Sequence, residues 1–136
     1  MRLLLDMHTF LWFIGGNDDL SGYARSLIED TGNERLLSVA SLWEMAIKKS
    51  LGKLKLDLPF PEMVEREIRG NAIEVLDMLP KHLDEMVKLP FRHRDPFDRL
   101  IIAQSLSESA PVIGRDEAFD EYPVELLWEM DDGTRR

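Results

Sequence analysis

Five short apolar runs, each separated from the next by a stretch of helical spacing, limit this chain's fold more than any other feature. The runs are RLLLD (2–6), RLLSVA (35–40), AIEVLDM (72–78), APVIG (110–114) and VELLW (124–128). Each has the length of a buried strand and is too short for a stable helix. Between them, MHTFLWFIGG reads as a turn or two of helix stopped by Gly15 and Gly16, and Ser21 to Asp30 as a helix stopped by Gly32. Ser41 to Leu51 ends at Gly52, and Phe60 to Gly70 starts near Pro61. Pro80 to Leu89 and Pro96 to Ser107 complete the set, the latter with proline in its first turn, where a missing N–H costs nothing. Strands alternating with helices predict an α/β fold, a mostly parallel sheet of four or five strands covered on both faces. In such sheets ligands bind beyond the carboxyl ends of the strands, where the strand order reverses. Residues 1–130 are expected to form one domain, with 131–136 as a flexible tail.

Composition narrows the function. No apolar run reaches the ~18 residues of a membrane span. Asp6 and His8 interrupt the apolar opening and no small-residue cleavage site follows, so a signal peptide is not expected. The absence of cysteine excludes disulfides and thiolate metal sites and fits a cytoplasmic protein. A net charge of −9 excludes a protein that coats nucleic acid with its whole surface, because phosphate neutralisation needs cations. A polyanion would have to be met by a local basic patch or through bound metal ions. The charge is also uneven, since Asp116 to Asp132 holds eight acids and no Lys or Arg.

Four acids fall at element junctions on one rim of the expected sheet. Asp6 closes the first strand and Asp116 follows the fourth. Glu44 lies in the first turn of the helix after the second strand, and Asp98 in the first turn of the helix before the fourth. Each has a local explanation. Ser41 and Glu44 match a capping box, and Glu44 also faces Lys48 at i,i+4. Asp95 suits an N-cap before Pro96, Asp98 suits the helix dipole, and Asp6 and Asp116 each suit the cap of a following turn. As a set they are harder to explain by capping, which Ser, Thr or Asn supplies without charge. Gathered carboxylates raise one another's pKa, and a hard divalent cation such as Mg²⁺ or Mn²⁺ relieves that conflict. Lys48, Lys49, Lys53 and Lys55 follow Glu44, while Arg92, Arg94 and Arg99 bracket Asp95 and Asp98, and Arg115 adjoins Asp116. Most basic residues of this kind are solvated faces. Lys48, Arg94, Arg99 and Arg115 are the candidates for a nucleic-acid backbone track.

With these residues in view, LLLDMHTFLW, SVASLWEMAIKKSLGKLKL, HRDPFDRLIIAQS and RDEAFDEYPVELLW resemble, in order and spacing from Arg2 to Trp128, the PIN-domain ribonucleases, specifically the VapC-like toxins of toxin–antitoxin pairs. The resemblance implies a three-layer α/β/α domain and Mg²⁺- or Mn²⁺-dependent endonucleolytic cleavage of RNA. By motif it places the catalytic and metal-holding quartet on Asp6, Glu44, Asp98 and Asp116, with Asp95 as an N-cap or outer partner. It also implies a homodimer and a cognate antitoxin that lies over the active-site groove. Two departures stand out. Met7 replaces a hydroxyl residue common after the first acid, and Gly114 a Ser or Thr common two positions before the last. Thr9 is the nearest substitute hydroxyl.

In this reading the cation polarises water and offsets charge on the scissile phosphate, with Asp6 and Asp98 as its main holders and no protein nucleophile. The histidines at 8, 82 and 93 do not form an RNase pair, and His8 and His93 read as polar neighbours. Phe10, Trp12, Phe13 and Trp43 fit core or dimer contacts better than base stacking. Two alternatives stay open: a PIN-like module that binds RNA or protein without cutting, and a receiver-like phosphoacceptor domain using Asp77.

Overall fold

Leu3 and Leu5 face one side of the first strand and Leu4 the other, and all three are fully buried. A strand that is apolar on both faces needs cover on both, and the fold follows from that requirement. The structure is a computed structural model that describes residues 1–92 and 94–130. The expected tail at 131–136 and the reading of His93 lie outside the described residues. Five parallel strands, β1 (Arg2–Leu5), β2 (Glu34–Ser38), β3 (Glu74–Leu76), β4 (Val112–Ile113) and β5 (Leu126–Leu127), form one sheet in the order β3-β2-β1-β4-β5. The three-layer α/β/α expectation holds, with all five strands parallel.

On one face, Leu3, Leu5, Leu37 and Ile113 pack against α1 (Met7–Gly15), α2 (Gly22–Glu29) and α4 (Phe60–Met63), through Phe10, Ile28 and Met63. On the other, Leu4, Leu36 and Val112 meet Ile101 and Ile102 of α6 (Pro96–Glu108). A further helix, α5 (Pro80–Lys88), packs on α6, fixed by Glu108. Glu108 binds Arg2 at 2.9 Å, Lys81 at 2.9 Å and the buried His82 at 2.7 Å. His82 accepts the Leu79 N–H at Nδ1, so Nε2 carries the proton that meets Glu108.

All five strands are shorter than the apolar runs that mark them, and the reading of two helices changes. The second strand stops at Ser38, not residue 40, and α3 (Val39–Ser50) begins at once. Ser38 is its N-cap, accepting the Ala40 N–H at 3.1 Å, so the Ser41–Glu44 capping box does not form and Glu44 lies in the second turn. After Met63, α4 continues as a π-helical segment, Val64–Arg69. It closes at Gly70, where a Cβ would run into the Arg66 carbonyl oxygen. No helix among the described residues is long and apolar enough to cross a membrane.

Candidate active site

β1 occupies the centre of the sheet, with β2 on one side and β4 on the other. The chain runs outward from β1 to β3 in one direction and from β4 to β5 in the other, so the order reverses between β1 and β4. Side chains at the carboxyl ends of those two strands face the crevice that this reversal opens. Asp6 follows β1 directly, and Asp116 stands three residues after β4.

Asp6 caps α1, its carboxylate accepting the Met7 N–H at 2.9 Å, and it is only 5% exposed. Burial pushes its pKa up to about 7, from an ordinary value of 3.8. Burial is the largest cause, followed by the charge of Asp98, with smaller pushes from Asp116 and Glu44. The Met7 N–H acts in the opposite direction. The three other acids singled out by sequence therefore all act on Asp6 through space, although they lie far from it along the chain.

Each partner has its own anchor. Asp98 sits at the third position of α6, where its N–H and that of Phe97 are held by the Asp95 cap at 3.4 and 2.8 Å. Asp116 caps the 3-10 turn Glu117–Glu121 through the Ala118 N–H at 2.9 Å, with its side chain exposed. Glu44 pairs with Lys48 at 3.2 Å.

Three of the four acids, with Asp95, line two openings. A cleft of about 260 Å³ is lined by Asp6, His8, Trp12, Arg115 and Asp116. A wider one of about 420 Å³ holds Glu44 and Asp95, with Lys48, Lys53, Arg94 and Phe97 among its walls. No three His, Cys, Asp or Glu among the described residues stand close enough to form a ready-made metal cage. The donor set nevertheless suits a hard divalent cation. It is all carboxylate, it contains no thiolate, and its most buried member has a raised pKa that a cation would reverse.

The remaining candidates separate. Thr9 is buried and donates to the Ile113 carbonyl at 2.8 Å, the same oxygen that accepts the Asp6 N–H at 3.2 Å. Its hydroxyl ties β4 to the start of α1 and, among the described residues, hydrogen-bonds to no carboxylate. Met7 is buried in the core. Gly114 lies directly behind Asp6, where a Cβ would stand 3.1 Å from the Asp6 Cβ. Arg94 is exposed on the wider cleft. Arg99 leaves the proposed track, because its guanidinium binds the Met86 and Pro90 carbonyls and the Tyr122 hydroxyl at 3.2–3.3 Å and stacks on Phe91. Of the aromatics, Phe10 is core, while Trp12 lines the narrower cleft and Trp43 is 57% exposed, edge-on to Phe97. Sequence reasoning missed the burial of Ser41. It is fully buried one turn before Glu44, and among the described residues its hydroxyl has no hydrogen-bond partner. Asp77 follows the edge strand β3, away from the reversal, which removes the receiver-like alternative.

A search of curated protein sequences finds no match. Among solved structures, the fold is similar to a chain in the crystal structure of VapBC2 from Rickettsia felis bound to a DNA fragment from their promoter. The TM-score is 0.67 at 19% identity, covering 95% of this chain and 100% of that one. The family model for the PIN domain matches residues 3–125. With its acids at the reversal of a parallel α/β/α sheet and that match over most of its length, the chain belongs to the PIN-domain family.

Proposed function

We propose that this chain is a Mg²⁺- or Mn²⁺-dependent endoribonuclease and the toxin of a toxin–antitoxin pair. The observation that carries the reading is the buried Asp6 at the β1–β4 reversal, its pKa raised by Asp98, Asp116 and Glu44 as well as by burial. Family membership and the fold likeness to a VapBC2 chain support it. The same reading makes it a cytoplasmic protein held by a cognate antitoxin and working as a homodimer, as the sequence resemblance implies.

Asp6 and Asp98 would be the principal holders of the cation, with Asp116 and Glu44 completing its surroundings. When bound, the cation supplies Lewis acidity and neutralises charge at the scissile phosphate. Among the described residues the Asp6 carboxylate accepts one hydrogen bond, from the Met7 N–H to Oδ1, so its second oxygen stays available towards the cleft. Asp95 holds the first turn of α6 and thereby sets the place of Asp98. Lys48 leaves Glu44 close to neutral as a pair, so substrate phosphate meets less repulsion on that side. Hydrolysis joins a water oxygen to phosphorus as the bond to the leaving ribose oxygen breaks, and that oxygen takes up a proton.

The test is incubation of the protein with structured RNAs in Mg²⁺ or Mn²⁺ and in EDTA, beside Asp6→Asn and Asp98→Asn. Cleavage in metal, none in EDTA, and at least about a hundredfold less in each variant is expected. Unchanged cleavage by folded variants would end the proposal. The lack of a close-set trio of metal ligands among the described residues, with no hydroxyl at 7 or 114, favours one second reading, an RNA- or protein-binding PIN module that does not cut. Metal binding without cleavage of any RNA would select it.

A further inference from the structure

Arg115 is held against two indoles at the mouth of the narrower cleft. Its guanidinium carbon lies 4.9 Å from the Trp12 ring centre and 5.4 Å from that of Trp128. The two indoles meet edge to face at 5.8 Å. Trp128 is buried, and its carbonyl accepts the Ser21 hydroxyl, so the base of the arrangement is fixed to α2. One turn back along α1, the exposed His8 ring stands 5.9 Å from Trp12 and only 31° from parallel with it.

A cation covering indoles is often no more than surface packing. The hydrogen-bonding state of Arg115 separates this case from that one. Its guanidinium shares a cleft with Asp6 and Asp116, yet among the described residues it makes no ion pair and no hydrogen bond. Its position is set by ring faces alone, which leaves the planar fork of donors for an incoming group. A phosphate matches that fork in two-point geometry. Because the indoles already restrict the side chain, binding loses little further rotamer freedom. Beside it, His8 and Trp12 offer two ring faces at the cleft wall, tilted 31° to each other, and either face suits a flat aromatic base that is not engaged in pairing.

We propose that His8, Trp12 and Arg115 form a nucleotide subsite next to the acids. Arg115 takes a phosphate flanking the scissile one, and the base beside that phosphate stacks on His8 and Trp12. The inference rests on the nuclease reading and adds to it that the nucleotide at this subsite must be unpaired, since a base inside a duplex presents no free face.

Steady-state cleavage of a single-stranded RNA oligonucleotide in Mg²⁺ tests this, using full-length wild type, His8→Ala, Trp12→Leu, Trp12→Phe and Arg115→Gln. His8→Ala, Trp12→Leu and Arg115→Gln are expected to raise KM about tenfold, with a smaller fall in kcat. Trp12→Phe, which keeps an aromatic face, should stay within about threefold of wild type. An abasic nucleotide moved stepwise along the oligonucleotide supplies a readout independent of folding. At one position beside the cut it should raise the wild-type KM about tenfold and leave His8→Ala almost unaffected. If Trp12→Leu does not fold, His8→Ala and the abasic series decide. Wild type that cleaves, with variants and abasic substrates equal to it in KM, overturns the subsite and leaves the nuclease reading intact. Wild type that cleaves no RNA overturns both.

Discussion

Gly114 backs directly onto Asp6, so closely that a Cβ at 114 would stand 3.1 Å from the Asp6 Cβ and 3.6 Å from its Oδ2. Neither backbone is free to yield. The Asp6 N–H binds the Ile113 carbonyl at 3.2 Å, and the Gly114 N–H binds the Leu127 carbonyl at 3.3 Å. Gly114→Ala is therefore expected to lower stability by about 1 kcal/mol, the crowding outweighing the smaller backbone-entropy gain. By moving the Asp6 carboxylate it should also reduce cleavage several-fold. Urea unfolding and an RNA cleavage assay measure the two effects. An alanine variant as stable and active as wild type would show that the contact imposes nothing.

The repulsion around Asp6 links function to stability. Its pKa is raised from 3.8 to about 7 by burial and by Asp98, so the folded state favours the protonated acid. The sign follows: folding is unpenalised below about pH 4, and stability is lost as pH rises through about 7. Asparagine keeps the oxygen that receives the Met7 N–H but cannot ionise. In EDTA, Asp6→Asn should be more stable than wild type by on the order of 2 kcal/mol at pH 8, with the gap closing by pH 4. Thermal or urea unfolding at both values checks this, and a variant less stable at pH 8 contradicts it.

Much of this site was legible because its acids lie next to strand ends that simple patterning locates. RLLLD and APVIG mark β1 and β4, and Asp6 and Asp116 follow within a few residues. The start of α3 was not legible, because RLLSVA stays apolar through Ala40 and Ser38 and Ser41 are equally good caps. Only the position of the backbone chooses Ser38. The role of Arg99 was hidden for another reason. Its partners Met86, Pro90 and Tyr122 come from elements whose packing no local spacing encodes. The Arg115 seat is hidden in the same way, since Trp12 and Trp128 meet only after β5 joins the sheet.

Glu108 makes a pH prediction of opposite sign at the other rim. Contacts from His82, Lys81 and Arg2, in that order, hold its pKa down from 4.5 to about 2. A depressed carboxylate stabilises the fold above about pH 4.5, and that contribution is lost as pH falls through about 2. Glu108→Gln keeps the size and removes the charge that three donors share. It is expected to destabilise the protein by about 2 kcal/mol at pH 7, with wild type and variant converging near pH 2. Urea midpoints across that range provide the comparison, and a constant difference down to pH 2 would exclude the charge as the cause.

Two residues carry backbone strain that glycine would relieve. Ser109, with φ 52° and ψ 43°, ends α6 in the left-handed region, where its N–H and that of Ala110 reach back to the Ser105 carbonyl. Ala72, with φ 56°, turns the chain ahead of β3, and its carbonyl receives the buried Arg35 at 3.5 Å. An L side chain in this region costs roughly 1 kcal/mol or more, while glycine adds back some unfolded-state entropy. Both Ser109→Gly and Ala72→Gly are thus expected to stabilise by about 0.5–1 kcal/mol. For Ser109 the hydroxyl makes no hydrogen bond among the described residues, so nothing offsets the gain. For Ala72 the methyl is exposed, so no core contact is lost. Neither change is near the acids, and RNA cleavage at 25 °C should stay within about twofold of wild type while the urea midpoint rises. A fall in midpoint for both would mean that the left-handed turns are not where the strain lies.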